Sequence, residues 1–565
     1  MANNNADLTP VEGIKSRSRY LRGSIVESLA DNATGALAED DTQLSKFHGF
    51  YQQDDRDFRE DRRRQMLEPD YQFMIRARVP GGVCTTEQWL AMDEIAKSFA
   101  NGTIRLTTRQ AFQLHGVIKR NLKSTIRSIN DSLLDTIAAC GDVNRNVMCT
   151  PLPEQSELHR QVFEKAIEVS NHLTPQTTAY HEIWLDKKRI AGGEQPVIKD
   201  HEPIYGETYL PRKFKMSFAI PPRNDVDVFA HDLSFIAITE NSKLTGFNVV
   251  VGGGMGASHG DPKTYPRLAD VIGFCTPDQV VEVSEAIVLI QRDNGDRTER
   301  KHARLKYTID DRGLDWLQTE IESRLDYRLA EARPYEFTHN GDRYGWQQTQ
   351  DGLWHLGLFI ENGRVADKQG AEQLSGMRAI ARIHQGEFRL TPNQNVVISG
   401  VAESDRAAID ELVNQYGLDN WAQNSSLRLH SMACVGFPTC ALSMAESERY
   451  LPELIGHIET LQESHEIADQ PITIRMTGCP NGCARPYLAE IGLVGKGPGQ
   501  YNLHLGAAFN GSRLNQLYRE NVNEREILAT LDELFGEFVQ EKQSEETFGD
   551  FLHRVGTFNI QGEKA

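Results

Sequence analysis

The sequence from Gly102 to Val117 is GTIRLTTRQAFQLHGV, and the sequence from Gly386 to Val401 is GEFRLTPNQNVVISGV. The two stretches lie 284 residues apart and share seven of sixteen residues. Each has apolar residues alternating on both sides of a polar tetrad, TTRQ or TPNQ, which predicts a strand, a tight turn and a second strand. Two related hairpins in one chain indicate a duplicated module and hence a pseudo-two-fold architecture.

The similarity between the two halves continues upstream of the hairpins. The strand-like run that contains Arg76 and Arg78 aligns with one that contains Leu358 and Ile360. The second half therefore serves as an internal control, because it has apolar residues where the first half has cations. Cations that alternate on one face of a strand indicate a binding site for an anion.

Two features downstream of the hairpins extend the duplication. Phe247–Gly256 (FNVVVGGGMG) matches Ile491–Gly499 (IGLVGKGPG) in type, as a strand running into a glycine-rich loop. The first loop lacks the spacing of phosphate-binding motifs, which favours a close-packing or turn role. Its match to Gly495, Gly497 and Gly499 indicates instead a backbone that approaches a bulky planar cofactor. Cys149 falls one position from the equivalent of Cys434, which suggests an ancestral module with a cysteine in both halves.

Composition and charge restrict the class of protein. The chain has 565 residues, of which 39% are hydrophobic and 25% charged, as in a soluble globular protein of two or three domains. Its net charge of -19 repels nucleic acid and anionic membranes. The sequence has neither a signal peptide nor a long apolar segment, so we expect a cytoplasmic protein without nucleic-acid or membrane partners.

Four of the eight cysteines lie within fifty residues of one another, as Cys434-x5-Cys440 and Cys479-Pro-Asn-Gly-Cys483. Four soft ligands suit an iron-sulfur cluster or zinc. The first pair is wide and the gap between the pairs is long for a zinc knuckle, which favours a cluster over zinc or unliganded thiols. The Pro-Asn-Gly turn folds the chain back, so that both sulfurs of the second pair face one centre.

Further cations point to an anion site. Lys213 and Lys215 are two residues apart on a strand-like run, and Arg145 lies in Asn-Arg-Asn just before Cys149. The alternative is that each is a surface cation on an edge strand. In the first hairpin, three more candidates for binding an anionic group are Arg105, Arg109 and His115, of which only Arg105 keeps its type in the second copy.

Taken together, these motifs resemble the siroheme sulfite and nitrite reductase family. The resemblance rests on the four cysteines with the surrounding Thr477–Cys483 (TGCPNGC), on Asn144–Asn146 (NRN) and on Leu210–Lys215 (LPRKFK). It extends from about Tyr20 to the C-terminal region, nearly the whole chain.

The resemblance implies an α+β fold, a duplicated module with three domains around a central siroheme and a 4Fe-4S cluster. It implies cluster ligation by Cys434, Cys440, Cys479 and Cys483, with Cys483 shared with the siroheme iron. The cations Arg76, Arg145, Lys213 and Lys215 would hold sulfite, and Arg105, Arg109 and His115 would contact siroheme. The expected domains are an N-terminal arm for partner docking (1–72), two ferredoxin-like half-domains that form one domain (73–137 and 338–417), a module with the substrate cations (138–337) and a module with the cluster ligands (418–565).

The resemblance also implies the reaction and the partner. The reaction is the six-electron reduction of sulfite to sulfide for cysteine biosynthesis, and the chain has no flavin or nicotinamide site of its own. We therefore expect an NADPH-dependent flavoprotein as the electron donor. Alternatives are a siroheme nitrite reductase, disfavoured by Lys215 where those enzymes have Asn, a ferredoxin-dependent sulfite reductase, and an iron-sulfur electron-transfer protein without a tetrapyrrole.

Overall fold

The computed structural model describes residues 8–177, 183–185, 188–191 and 201–556. The ends of the predicted arm and of the last module, 1–7 and 557–565, lie outside these residues. Within the described ranges, no helix is long and apolar enough to cross a membrane. The structure mixes helices with five-stranded sheets, which confirms the α+β class.

The elements of the N-terminal segment and first half-domain are α1 (Pro10–Arg17), α2 (Ile25–Ala30), α3 (Glu39–Leu44), β1 (Phe50–Asp54), α4 (Arg59–Arg64), β2 (Tyr71–Ala77), β3 (Val83–Thr85), α5 (Thr86–Phe99), β4 (Ile104–Leu106), β5 (Phe112–Val117) and α6 (Leu122–Asp131). The elements of the next region are β6 (Met148–Cys149), α7 (Ser156–His172), β7 (Ile183–Leu185), β8 (Lys188–Ala191), β9 (Met216–Ala219), β10 (Leu233–Glu240), β11 (Lys243–Val251), β12 (Asp270–Cys275), α8 (Val280–Asn294), α9 (Leu305–Arg312) and α10 (Leu314–Leu325).

The second half-domain contains β13 (Gly345–Gln348), β14 (Trp354–Leu358), β15 (Arg364–Val365), β16 (Asp367–Lys368), β17 (Ala371–Glu372), α11 (Gln373–Ile383), β18 (Glu387–Leu390), β19 (Val396–Val401) and α12 (Arg406–Gln415). The last region contains α13 (Ser426–Leu429), β20 (Ser431–Ala433), α14 (Leu451–Ser464), β21 (Ile474–Thr477), β22 (Ile491–Gly497), β23 (Gln500–Leu505), β24 (Gln516–Val522), α15 (Glu524–Glu541) and α16 (Phe548–Arg554). Apolar residues recur at the spacing of one helix face in Val281–Gln291 and Glu524–Gln540, so the sequence alone predicts helices there, and these correspond to α8 and α15.

The two predicted hairpins are β4–β5 and β18–β19, and the sheets around them exchange a strand. The sheet orders are β1-β2-β5-β4-β15 and β13-β14-β19-β18-β3, so each half-domain gives its third strand to the sheet of the other. Trp89 of α5 packs at this junction, with ring centroids 5.7 Å from Phe112 and 5.0 Å from Phe388. One continuous core therefore joins the two halves.

A second pair of sheets shows the same duplication. Their orders are β12-β11-β10-β9-β6 and β24-β23-β22-β21-β20. In each, three strands are parallel neighbours and two antiparallel strands follow. The ends of the parallel strands carry the residues of interest, because β20 and β21 lead into the cysteines and β9 follows the lysines.

The N-terminal segment does not extend as a flexible arm from residue 8 onward. Lys15 is fully buried and donates to the Leu210 carbonyl at 2.8 Å. Phe50 is buried on β1, which is the edge strand of the first sheet. Polar residues of this segment pair with polar groups of the body, as Lys15 does with Leu210 and Asp142, whereas the charged α4 lies on the surface.

Strand register corrects two of the predicted equivalences. Arg76 pairs with Gln113 of β5, and Gly357 pairs with Val397, the hairpin equivalent of Gln113. The equivalents of Arg76 and Arg78 are therefore Gly357 and Phe359, one position before the predicted Leu358 and Ile360. The offset between the copies is 281 residues at this strand and 284 at the hairpins, because the second copy has three more residues between β15 and β18, and a one-residue shift changes the face of every side chain.

The same comparison shows that Cys149 is not the equivalent of the predicted cluster ligand Cys434. The amide of Cys434 donates to the Met476 carbonyl at 3.1 Å, and the amide of Thr150 donates to the matching Phe218 carbonyl at 3.2 Å. Thr150 is thus the equivalent of Cys434. Cys149 points to the other side and is buried in the core.

The predicted equivalence of the glycine loops was also wrong. Gly252 follows β11 and donates to the Asp232 carbonyl, whereas Gly506 follows β23 and donates to the Glu490 carbonyl in the same way. The loop at Gly252 therefore corresponds to the one at Gly506. Gly499 instead lies in the turn between β22 and β23, the equivalent of the β10–β11 turn.

Candidate functional site

Two of the four cysteines follow adjacent parallel strands. Cys434 comes directly after β20, and Cys479 follows β21 by two residues. Because β20 and β21 are parallel neighbours, their ends place both cysteines at the same edge of the sheet. The Gly478 amide, between the two, donates to the Cys434 sulfur at 3.3 Å. This edge of the sheet forms one wall of the candidate metal centre.

The Cys-Pro-Asn-Gly-Cys turn is held by the glycine loop after β11. Gly482 has φ of 62°, and a Cβ there would lie 2.7 Å from the Met255 carbonyl oxygen. The Ala257 amide donates to the Pro480 carbonyl at 2.9 Å. Lys306 in turn fixes the loop by donating to the carbonyls of Gly254, Gly256 and Tyr265. The close backbone approach expected of this loop is therefore made to the cysteine turn.

The four thiols are electrostatic neighbours. Burial first, and then neighbouring cysteines, raise the pKa of Cys440 and of Cys479 to about 12, and burial followed by Cys483 raises the pKa of Cys434. Among the described residues, no three His, Cys, Asp or Glu side chains converge as ligands of one ion. Metal binding by these thiols must displace protons, and it then removes the repulsion between neighbouring thiolates.

Two of the predicted cations converge on one carbonyl. Nη1 of Arg76 donates to the Ala139 oxygen at 3.3 Å, and Nη1 of Arg145 donates to the same oxygen at 3.1 Å. Arg76 also donates to the Cys140 sulfur at 3.1 Å. Arg78, by contrast, forms an ion pair with Asp135 at 2.7 Å and has no part in this cluster.

The two lysines lie beside these arginines in a recess. Their side chains are half-buried. Burial, followed by Arg212 and Arg304, lowers the pKa of Lys213 to about 7, and burial followed by Lys213 holds the pKa of Lys215 well below its usual value. Cations crowded at a partly dry site attract an anion, because an anion relieves their mutual repulsion.

Cys483 is the point at which the thiols and the cations meet. It interacts electrostatically with Arg76, Lys213 and Lys215, and also with the other three cysteines. Its side chain is exposed rather than packed in the core. Cys483 is therefore an electrostatic neighbour of both groups, and a common site for the eight predicted catalytic and metal-binding residues stays a prediction.

The three predicted cofactor contacts differ in their surroundings. Arg105 is paired with Glu448 at 2.9 Å and donates to the Ala433 carbonyl, next to Cys434. Burial lowers the pKa of Arg109 to about 9, and its Nε has no protein partner among the described residues. Both ring nitrogens of buried His115 also lack a protein partner there.

Sequence reasoning missed the groups that support the lysines. Asp232 is buried, accepts from the Lys215 amide at 2.9 Å and forms a two-pronged ion pair with Arg304 at 2.8 and 2.9 Å. No local pattern marks Asp232 or Arg304, since they are 72 residues apart. Only the equivalence of Asp232 with Glu490, which accepts from the Thr473 amide, singles out this position.

These residues fit the two cofactors that the sequence predicts. Four neighbouring thiols are the donor set of an iron-sulfur cluster. The unpartnered nitrogens of His115 and Arg109, with the cations of the recess, suit a tetrapyrrole that carries several carboxylates, because buried donors otherwise lack hydrogen bonds.

Comparison with known proteins gives consistent matches. The family "Nitrite and sulphite reductase 4Fe-4S domain" matches residues 168–329. The family "Nitrite/Sulfite reductase ferredoxin-like half domain" matches residues 64–131 and 346–416. The first match falls on the copy with the lysines, whereas the four cysteines lie in the other copy.

Relatives match over almost the full chain. The sulfite reductase [NADPH] hemoprotein beta-component of Myxococcus xanthus is 59% identical over 97% of both chains. Its namesake in Oceanobacillus iheyensis is 56% identical, over 98% of this chain and 96% of the relative. Among solved structures, the NirA protein of Mycobacterium tuberculosis superposes with a TM-score of 0.77 and 25% identity, covering 97% of this chain and 96% of that one.

Proposed function

This chain belongs to the nitrite and sulphite reductase family, and from that membership we infer that it reduces sulfite to sulfide as the hemoprotein component of an NADPH-dependent sulfite reductase. The observation that carries this proposal is the electrostatic neighbourhood of Cys483, which includes the other three cysteines as well as Arg76, Lys213 and Lys215. A thiolate there is suited to link a metal cluster to a centre beside the substrate.

We assign the four cysteines to a 4Fe-4S cluster and the basic recess to siroheme and sulfite. When bound, the two cofactors supply electrons one at a time to the sulfur atom. His115 and Arg109 are placed to hold carboxylates of the tetrapyrrole through their free N–H groups. Arg105 contacts Glu448 and the Ala433 carbonyl, next to Cys434, and so helps to position a cluster ligand.

The cations of the recess bind and orient sulfite. Arg76 and Arg145 donate charge-assisted hydrogen bonds to an oxyanion through their planar guanidinium groups. Their shared contact with the Ala139 carbonyl fixes both guanidinium groups relative to each other. Substrate binding therefore requires little reorganisation of these side chains.

The lysines hold the protons that the reaction consumes. Reducing bisulfite to hydrogen sulfide takes up six electrons and seven protons and releases three waters, so every S–O cleavage needs a proton donor. Lys213, with its pKa lowered to about 7 by burial and by Arg212, loses a proton readily at neutral pH. The Lys215 amide is fixed by Asp232, which holds the backbone of that lysine in place.

The electrons come from another protein in this proposal. The relatives are named as the beta-component of an NADPH enzyme. We propose a flavoprotein that oxidises NADPH as the partner, and a role in cysteine biosynthesis for the sulfide.

One experiment tests the proposal. The visible absorption spectrum of the purified protein is recorded, iron and acid-labile sulfide are counted on the same sample, and sulfite and nitrite turnover are assayed with a reduced flavoprotein. Tetrapyrrole bands together with sulfide release from sulfite support the proposal. Cluster absorption alone, after expression with siroheme supplied, contradicts it, and faster turnover of nitrite would indicate a nitrite reductase.

A further inference from the structure

A buried ion triad lies between the two modules. Asp227 accepts from Nη1 of Arg475 at 2.6 Å and from Nε of Arg485, both through the same carboxylate oxygen. The exposed fractions of the three residues are 1%, 3% and 4%. Burial alone would raise the pKa of Asp227, but the two arginines hold it well below its usual range.

Arg485 and Asp227 occupy equivalent positions in the two modules. Asp227 has φ of 49° and precedes the short helix Val228–Ala230, and Arg485 has φ of 53° and precedes the short helix Pro486–Leu488. The following strands, β10 and β22, are equivalent as well. The ion pair therefore joins a position to its own counterpart, which places it at the pseudo-two-fold axis.

The guanidinium of Arg485 also touches both hairpins at equivalent points. Nη1 donates to the Thr108 carbonyl and Nη2 to the Pro392 carbonyl, each at 2.9 Å. Thr108 and Pro392 are the same position of the TTRQ and TPNQ turns, 284 residues apart. One side chain thus holds the tips of both hairpins and the opposite module.

The contact continues to Cys483. The Thr108 hydroxyl donates to the Cys483 carbonyl at 3.0 Å, and the Arg485 amide donates to the Gly482 carbonyl at 3.0 Å. The backbone of Cys483 is therefore tied to the first hairpin through Thr108 and to the triad through Arg485. Arg475, the other arginine of the triad, has no such contact with either hairpin among its described bonds.

We propose that Arg485 is a positioning residue that fixes the backbone of Cys483 against the tips of both hairpins. The inference rests on the proposed function, because it concerns the thiolate that would link the cluster to the tetrapyrrole. Arginine is required since its planar fork donates in three directions at once, to Asp227, Thr108 and Pro392, and a lysine ammonium cannot span these acceptors.

The test compares Arg485→Lys with Arg475→Lys. Both variants keep a positive charge beside Asp227, and the melting temperature of Arg485→Lys is expected to fall further because it also loses two buried hydrogen bonds. Only Arg485→Lys removes the contacts with the hairpin tips. We expect it to lower tetrapyrrole retention per acid-labile sulfide by roughly tenfold and to shift the tetrapyrrole absorption bands, while Arg475→Lys retains the wild-type spectrum.

A third variant covers the case in which Arg485→Lys does not fold. Thr108→Val removes only the hydroxyl that donates to Cys483, at a half-buried site, and should shift the bands in the same direction by a smaller amount. The proposal is overturned if Thr108→Val has the wild-type spectrum, or if the two arginine variants have the same spectrum and the same cofactor ratio.

A second readout separates this inference from the proposed function. The alkylation rate of Cys483, followed by mass spectrometry in protein expressed without cofactors, should rise several-fold in Arg485→Lys and Thr108→Val but not in Arg475→Lys. Wild-type protein that never takes up tetrapyrrole would defeat the proposed function, yet this rate would still decide the role of Arg485. Equal rates in all variants would refute that role.

Discussion

The two modules share a framework but carry opposite chemistry. In the module built on β6 and β9–β12, the strand ends present Arg145, Lys213 and Lys215. In the module built on β20–β24, the cysteines lie at the opposite edge, because Cys434 and Cys479 follow β20 and β21 whereas the cations precede β6 and β9. The residue that matches the ligand Cys434 is Thr150, and its hydroxyl donates to Asp225 at 3.0 Å.

The supporting residues differ in the same way. Asp232 in the first module is paired with Arg304, whereas the donors to its equivalent Glu490, among the described residues, are the uncharged groups of Thr473 and Gly549. Burial accordingly raises the pKa of Glu490 to about 7. The residue before β10 and the residue before β22 are therefore both buried carboxyl groups, but among the described residues only the first is paired with an arginine.

The largest effect is expected from the cysteines. Cys434→Ser should abolish cluster assembly and sulfite turnover, because an alcohol is a poor ligand for iron in a cluster that requires thiolates. Cys149→Ser, on the residue that precedes Thr150, is the matched control and should keep its full acid-labile sulfide. Loss of acid-labile sulfide in Cys149→Ser would show that Cys149 is a cluster ligand and would contradict the difference between the two modules.

The second-largest effect is expected to be a difference in stability between variants of the two equivalent residues, Asp232 and Glu490. Asp232→Asn leaves the buried Arg304 without its counter-charge and should reduce the free energy of unfolding by about 3–5 kcal/mol. Glu490→Gln loses a hydrogen bond between uncharged partners and should reduce it by about 1–2 kcal/mol. Urea unfolding of both variants measures the difference, and equal losses would show that Arg304 does not depend on Asp232.

The third effect concerns specificity in the basic recess. Lys215→Asn should retain both cofactors but lower sulfite turnover by roughly a hundredfold, because one preorganised cation at the oxyanion is removed. Nitrite turnover should fall less, and the ratio of the two rates under identical conditions is the measurement. A parallel fall of both rates would mean that Lys215 does not choose between the substrates.

The smallest effect is a dependence on pH. Because burial, Arg212 and Arg304 lower the pKa of Lys213 to about 7, its ammonium group is present below that pH and is lost as pH rises through it. Sulfite affinity should therefore weaken by a few-fold above about pH 7. A bound anion favours the protonated lysine and so should raise the pKa of Lys213 by linkage. Lys213→Arg, which stays protonated, should bind sulfite with little change over this range, and a wild-type transition in that variant would assign the titration to another group.

Local patterns in the sequence were sufficient for much of this comparison. The alternation around the TTRQ and TPNQ tetrads predicted both hairpins, and the spacing of apolar residues predicted α8 and α15. The cysteine spacing grouped four thiols that are electrostatic neighbours in the fold. These features depend on neighbours within a few residues, which is why they are visible without a structure.

Register and long-range pairing were decided by the tertiary structure alone. The sequence alignment placed Arg76 one residue away from its equivalent, because insertions after the strand leave the face of each side chain undetermined. The exchange of β3 and β15, the burial of Lys15 and the ion pair of Asp227 with Arg485 join residues far apart in the chain. The sequence by itself determined which chemistry each module carries, and only the packing of the two modules on one another decided where those groups meet.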